Sequence, residues 1–268
     1  MAGETSTGAV VLVGCGRLGS AILEGWLAVR AVAPGEIVIL TPSIKPAAEA
    51  AVARGAWINP PPADIGPIRA VVLAVKPAQW REALTPLVAH LSPDTRIVSV
   101  MAGVAAGDIA AIVNRPVARV MPTTAVAQAS GVAALWSQDA GARETARGLF
   151  APMADIVDLE TEALIDAATA VAGSAPAFIY AFVEALARAG EAQGLPAKAA
   201  ARLARGALRS AGAGAETGKA LDALIARIAS PGGTTRAGLD AMNENGGLDR
   251  VAEAAVAAAV ARAKTLSA

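Results

Sequence analysis

The 268 residues carry 23 Lys plus Arg against 23 Asp plus Glu, a balance that gives no broad electrostatic footprint for nucleic acid or an anionic membrane. An apolar content of 54% can fill one large core or two ordinary ones, so two domains and small-molecule partners are the starting expectation. Cys15 is the one cysteine, which excludes an internal disulfide and a cysteine-based zinc site and fits a reducing cytoplasm; no metal is expected.

Met1 to Ala9 is small and polar, without the basic-then-apolar order of a signal peptide, and export is not expected. From Ala9 to about Leu159, short β-branched runs alternate with Ala-rich helical stretches, the pattern of a parallel sheet covered on both faces. Strands are predicted at Ala9 to Val13, Ile37 to Leu40, Ala70 to Val75, Ile97 to Val100, Ala118 to Met121, Val132 to Trp136 and Ile156 to Leu159, with weaker strand character at Trp57 and Ile58. Past Thr161 the chain turns helical, with periodic Ala and Leu over Glu162 to Gly194, Ala197 to Gly214, Ala220 to Ile228 and Leu248 to Leu266. Breaks are expected at Gly173-Ser174-Ala175-Pro176, Gly194-Leu195-Pro196 and Ser230-Pro231-Gly232-Gly233. The fold class is therefore an α/β Rossmann-like domain over residues 1–160 and an all-α domain over 161–268. Ala167 to Val183 is uncharged but falls short of the usual spanning length, so it is expected to be a helix buried against a second subunit rather than a membrane span. Phe178 and Tyr180 are expected in the helix core.

Val10-Val11-Leu12-Val13 runs into Gly14-Cys15-Gly16-Arg17-Leu18-Gly19 and then an amphipathic helix. At the first strand-to-helix turn, Gly14 would permit the tight bend, Gly16 the approach of a pyrophosphate, and Gly19 close packing of helix on strand. Cys15 and Arg17 would contribute backbone amides, and the helix start would hold phosphates. A site for NAD usually ends its second strand with an acidic residue, whereas here Leu40-Thr41-Pro42 leads to Ser43 and Lys45, which suit a 2′-phosphate; NADPH is preferred over NADH.

The lone histidine, His90, precedes Ser92-Pro93 and a strand, placing it at the sheet edge opposite to bound ligands. Sugar-acid and β-hydroxyacid dehydrogenases set a catalytic lysine after a Gly-Ser-Gly turn; here Gly173-Ser174-Ala175 is followed by Ile179 at that spacing. A substrate that is already electrophilic, such as a protonated imine, needs no such proton donor at carbon. Ser230-Pro231-Gly232-Gly233-Thr234-Thr235 then opens a helix, and its amides and hydroxyls form either a nest for a carboxylate or an ordinary threonine-capped loop.

Over nearly its full length the chain resembles the Δ1-pyrroline-5-carboxylate reductase family. The resemblance is carried by Gly14 to Gly19, Leu73-Ala74-Val75-Lys76-Pro77, Val100-Met101-Ala102-Gly103, Arg119-Val120-Met121-Pro122, Gly173 to Ala177 and Ser230 to Thr235. It implies a Rossmann domain joined to a helical domain that interlocks with its twin in a homodimer, sometimes built into a decamer, and reduction of pyrroline-5-carboxylate to proline by NADPH or NADH. It also implies that Ala74, Val75, Lys76, Pro77, Ala102 and Gly103 line the nicotinamide half of the cofactor. Ser230, Gly232, Gly233 and Thr234 would hold the substrate carboxylate, Met121, Pro122 and Thr123 would border the substrate, and the Thr235 hydroxyl would face the ring nitrogen as the catalytic group. Thr123 and Ala125 stand where the family usually has asparagine and proline, Ala175 where it has glycine, Ala229 where threonine is frequent, and Pro62 near a common asparagine. These departures leave the reaction class intact but keep reduction of a piperideine or thiazoline carboxylate as a rival; a non-catalytic NADPH-binding module is the rival from another class.

Overall fold

The computed structural model describes residues 8–265; the expectations for Met1 to Thr7 and for Leu266 fall outside them. Two compact units divide the chain: one runs to Gly173 and resumes at Ala259, and the other is Ser174–Ala258.

In the first unit, β1 (Ala9–Val13), β2 (Ile37–Leu40), β3 (Trp57–Ile58), β4 (Ile68–Leu73), β5 (Arg96–Ser99), β6 (Val117–Pro122), β7 (Gly131–Trp136) and β8 (Ala154–Asp158) form one sheet in the order β3-β2-β1-β4-β5-β6-β7-β8. Helices α1 (Arg17–Val29), α2 (Pro46–Val52), α3 (Trp80–Leu84), α4 (Ala106–Val113), α5 (Ala140–Phe150) and α6 (Ile165–Ala168) accompany it. The sheet is buried on both faces, which is why its strands are apolar runs rather than alternating ones. In β1, Val10 and Leu12 join the core that holds Trp26 and Phe150, while Val11 and Val13 join the core that holds Trp80 and Ile109. The Trp26 indole N–H is satisfied in that core by the Leu149 carbonyl at 2.9 Å.

The order places β1 between β2 and β4, so the chain leaves β1 first to one side and then to the other; the crevice at such a switch point is where open α/β sheets bind ligands. Two of the differences from the sequence expectation concern β4 and β7. β4 spans Ile68–Leu73 rather than Ala70 to Val75: the Ala74 N–H still donates to the Val13 carbonyl at 2.8 Å, and beyond it Pro77, which lacks an N–H, holds Lys76 extended. β7 runs antiparallel to β6 although the other pairings are parallel, because the connection, a 3₁₀ turn at Thr124–Gln128, is too short for a crossover.

The chain stays helical where a break was expected at Gly173 to Pro176. A π-helical turn at Thr169–Ser174 passes directly into α7 (Ala175–Ala192), with Pro176 in the first turn of α7, where it forgoes one helical N–H bond to the π turn before it. In the second unit α7 is followed by α8 (Ala197–Ala215), α9 (Leu221–Ile228) and α10 (Thr234–Asn243); α11 (Gly247–Thr265) closes the described chain. Gly194, at φ +96, turns α7 into α8, and Ala200 and Ala204 are buried between them. Among the described residues Tyr180 is 63% exposed and Phe178 37%, which corrects their placement in a helix core. Among the described residues one helical stretch, Glu162–Ala192, is long and apolar enough to cross a membrane by length and composition.

Candidate active site

Five strands running in the same direction deliver the predicted residues of the first unit to one sheet edge. Gly14 to Gly19 follow β1, Ser43 and Lys45 follow β2, Ala74 to Pro77 follow β4, Ala102 and Gly103 follow β5, and Pro122 and Thr123 end β6. His90 is exposed and precedes β5, so it sits at the opposite edge.

The glycine turn divides its tasks as its spacing predicts. Gly14 has φ +98, and a Cβ there would lie 2.7 Å from the Ala74 carbonyl oxygen, so only glycine fits between β1 and the end of β4. A Cβ on Gly19 would collide with the Gly14 carbonyl oxygen, and this absence of a side chain lets α1 rest on the turn. Gly16 is different: its φ of −75 suits any residue and nothing lies within 4 Å of the Cβ position, which faces open space. No side chain caps α1 and no acidic residue stands in its first turn, leaving the amides of Arg17, Leu18 and Gly19 aimed at that space. Cys15 is buried, with its sulfur 3.5 Å from the Ser20 hydroxyl, and serves the turn through its backbone.

Ser43 and Lys45 are exposed, and Lys45 is the N-cap of α2. Their loop is fixed at its base by a residue that sequence reasoning missed. Asn59, just past β3, accepts the Thr41 N–H on Oδ1 at 2.8 Å and donates Nδ2 to the Thr41 carbonyl at 2.9 Å, clasping both backbone polar groups of one residue. The Thr41 hydroxyl then donates to the Ser43 carbonyl at 3.0 Å. The sequence signal was available: Asn59 precedes three prolines and adopts φ +48, a conformation asparagine tolerates better than most residues.

The loops after β4 and β5 are half-buried at Ala74, Val75, Ala102 and Gly103, while the Lys76 side chain points to solvent. Two further residues missed from sequence control the second loop. Arg119 on β6 is 5% exposed, and its Nη1 lies 3.2 Å from Glu162 Oε1, while Nη2 donates to the Met101 carbonyl at 2.9 Å. The same Glu162 oxygen accepts the Ala106 N–H, at the start of α4, at 2.7 Å. One charge inside the apolar strand Val117–Pro122 was the available signal, since a buried cation requires a partner.

Met121 and Pro122 are buried in β6, and Met121 packs in the core with Trp136. Thr123 is also buried, and its hydroxyl accepts the Val132 N–H at 3.2 Å, which ties the start of the 124–128 turn to β7.

In the second unit, the segment from Ser230 forms a tight turn in which Gly233 N–H donates to the Ser230 carbonyl at 3.0 Å and Gly232 takes φ +69. Gly233 is the N-cap of α10, no side chain caps the helix, and a Cβ on Gly233 would lie 2.7 Å from the Ser230 hydroxyl oxygen. The amides of Thr234, Thr235 and Arg236 therefore lack intrahelical acceptors, and Ser230, Thr234 and Thr235 are exposed around them. Of the two readings of this loop, the capped helix is not the one formed; the arrangement suits an anion.

Two family models match the chain: one described as NADP oxidoreductase, coenzyme F420-dependent, over residues 9–103, and one described as pyrroline-5-carboxylate reductase dimerisation, over residues 162–266. A pyrroline-5-carboxylate reductase of Coxiella burnetii superposes with a TM-score of 0.86 at 27% identity, covering 98% of this chain and 100% of that one. The crystal structure of Plasmodium falciparum pyrroline carboxylate reductase with NADP bound superposes with a TM-score of 0.81, covering 98% of this chain and 99% of that one, and at 23% identity it speaks for the fold alone. A pyrroline-5-carboxylate reductase of Thermus thermophilus is 35% identical over 242 residues, 87% of this chain and 89% of that protein. By that identity, sustained across most of both proteins, the chain belongs to the pyrroline-5-carboxylate reductase family.

Proposed function

We propose that this protein reduces Δ1-pyrroline-5-carboxylate to L-proline with NADPH, the glycine turn of residues 1–160 serving the cofactor and the Ser230 to Thr235 loop of residues 161–268 serving the substrate carboxylate. The observation that carries the reading is the presence, in a chain matching named reductases of that substrate over 87% of its length, of two uncapped helix starts fit for anions. The open Cβ position at Gly16 fits a pyrophosphate, which the amides of Arg17, Leu18 and Gly19 would hold. Ser43 and Lys45 would bind the 2′-phosphate, and Ala74 to Pro77 with Ala102 and Gly103 would line the nicotinamide. When bound, the reduced nicotinamide supplies a hydride to the imine carbon.

The chain's own part is positioning and exclusion of water. Ser230, Gly232, Gly233 and Thr234 pin the substrate carboxylate, Thr235 orients the ring nitrogen and relays a proton to it, and Met121, Pro122 and Thr123 form a rigid border. The apolar outer faces of α7 and α8 are read as the homodimer surface rather than a membrane span, with a decamer built of five dimers as the larger assembly. The balanced charge and single cysteine support a cytoplasmic protein whose partners are small molecules, not nucleic acid or membrane.

The test is NADPH oxidation followed by absorbance with pyrroline-5-carboxylate, repeated with NADH and with piperideine and thiazoline carboxylates. Pyrroline-5-carboxylate with NADPH is expected to give the highest kcat/KM. A higher value for another ring would move the substrate assignment, and NADPH binding without oxidation on any of them would leave a non-catalytic module.

Cofactor choice should be sensitive to the Asn59 clasp. Asn59→Gly keeps the φ +48 backbone but frees the Thr41 peptide. We expect KM for NADPH to rise about fivefold to tenfold, the value of one or two hydrogen bonds, with KM for NADH little changed. An equal rise for both cofactors would detach the Ser43 and Lys45 loop from 2′-phosphate recognition.

A further inference from the structure

We propose that Arg119 and Glu162 are positioning residues that set the shape of the loop from Met101 to Ala106, and through it the seating of the nicotinamide. The inference rests on the reading that Ala102 and Gly103 line that half of the cofactor.

The loop between β5 and α4 is held at both ends by one ion pair. At its start, Arg119 Nη2 donates to the Met101 carbonyl at 2.9 Å; at its end, Glu162 Oε1 accepts the Ala106 N–H at 2.7 Å; and Arg119 Nη1 joins the two at 3.2 Å. Ala106 opens α4, whose N-cap Ala105 has no side chain able to cap it, so the Glu162 carboxylate does that work from a distant part of the chain, where its charge also complements the helix dipole. Between the two anchors the backbone turns through Gly103 at φ +74. A loop fixed at both ends around a glycine hinge has one conformation to offer a planar ring, and without the anchors it has several.

A purely structural brace would be built more cheaply. Burying the guanidinium leaves Arg119 Nε without a hydrogen-bond partner, and an apolar side chain filling the same space in β6 avoids that penalty. What an apolar residue lacks is the directed bond to the Met101 carbonyl.

The test compares affinity for NADPH with affinity for 2′-phospho-ADP-ribose, which carries the adenine half and pyrophosphate but no nicotinamide. The variants are Glu162→Gln and Arg119→Lys, both of which retain polar groups of similar reach. Each is expected to weaken NADPH about tenfold and lower kcat by a similar factor, while 2′-phospho-ADP-ribose binds within about twofold of the parent protein, the range expected when outer hydrogen bonds to a binding group are disturbed. Equal weakening of both ligands would make the pair a general brace and overturn the proposal. Ala102→Leu separates the premise from the inference. If it selectively weakens NADPH while the ion-pair variants do not, the loop lines the nicotinamide but the pair does not set it. If none of the three discriminates between the ligands, the nicotinamide-lining reading falls, and the proposal with it.

Discussion

Thr235→Val should fold and bind NADPH as the parent does and yet lose about two orders of magnitude in kcat, the usual scale for removing a positioned proton-transfer group. Valine keeps the branched shape at the second position of α10, and the Thr235 side chain is exposed, so stability should change by less than about 0.5 kcal/mol. The hydroxyl is the one chemical function that changes. If it orients the ring nitrogen and passes it a proton, KM for the substrate should move little, because the carboxylate is held by the Ser230 to Thr234 amides, which valine leaves in place. Thr235→Ser should recover most of the rate. The measurement is steady-state kcat and KM beside NADPH affinity by fluorescence, and an unchanged kcat would remove Thr235 from the mechanism.

What the sequence made legible is what depends on local chemistry. The β-branched runs declared the sheet because strands buried on both faces have no alternation to obscure, and the glycine turn declared itself because the steric demands at Gly14 and Gly19 fall at fixed spacing. Long-range hydrogen bonding was not legible. Asn59 and Thr41 meet across two strands, and Arg119 meets Glu162 and Met101 from three separate elements; nothing in local sequence names a partner so distant. The direction of β7 also escaped, since a strand's periodicity is the same either way and only the short connection after Thr123 dictates the reversal. Phe178 and Tyr180 show a related limit: helix periodicity marks an apolar face but not whether its cover is intramolecular.

One methyl group, placed at two glycines of the same turn, should separate folding from cofactor binding. At Gly16 the new Cβ meets no protein atom within 4 Å and the backbone already lies where alanine is at ease. Gly16→Ala should therefore leave the melting temperature unchanged or raise it slightly, since alanine restricts the unfolded chain by about 0.4–1 kcal/mol. If the space is a pyrophosphate seat, the same methyl should weaken NADPH about a hundredfold, by displacing the phosphates from the amides of Arg17, Leu18 and Gly19. At Gly19 the methyl falls on the Gly14 carbonyl oxygen, a backbone atom that cannot yield without moving the turn or lifting α1 from the sheet. Gly19→Ala should cost about 1–3 kcal/mol, the range for overpacking a close contact, and lower the melting temperature by several degrees. Its NADPH affinity should fall as well, because the amides at the start of α1 move with the helix. Thermal melts and NADPH titrations on the two variants read both quantities. A Gly16→Ala protein that keeps the parent's affinity would mean that the phosphates do not cross this turn.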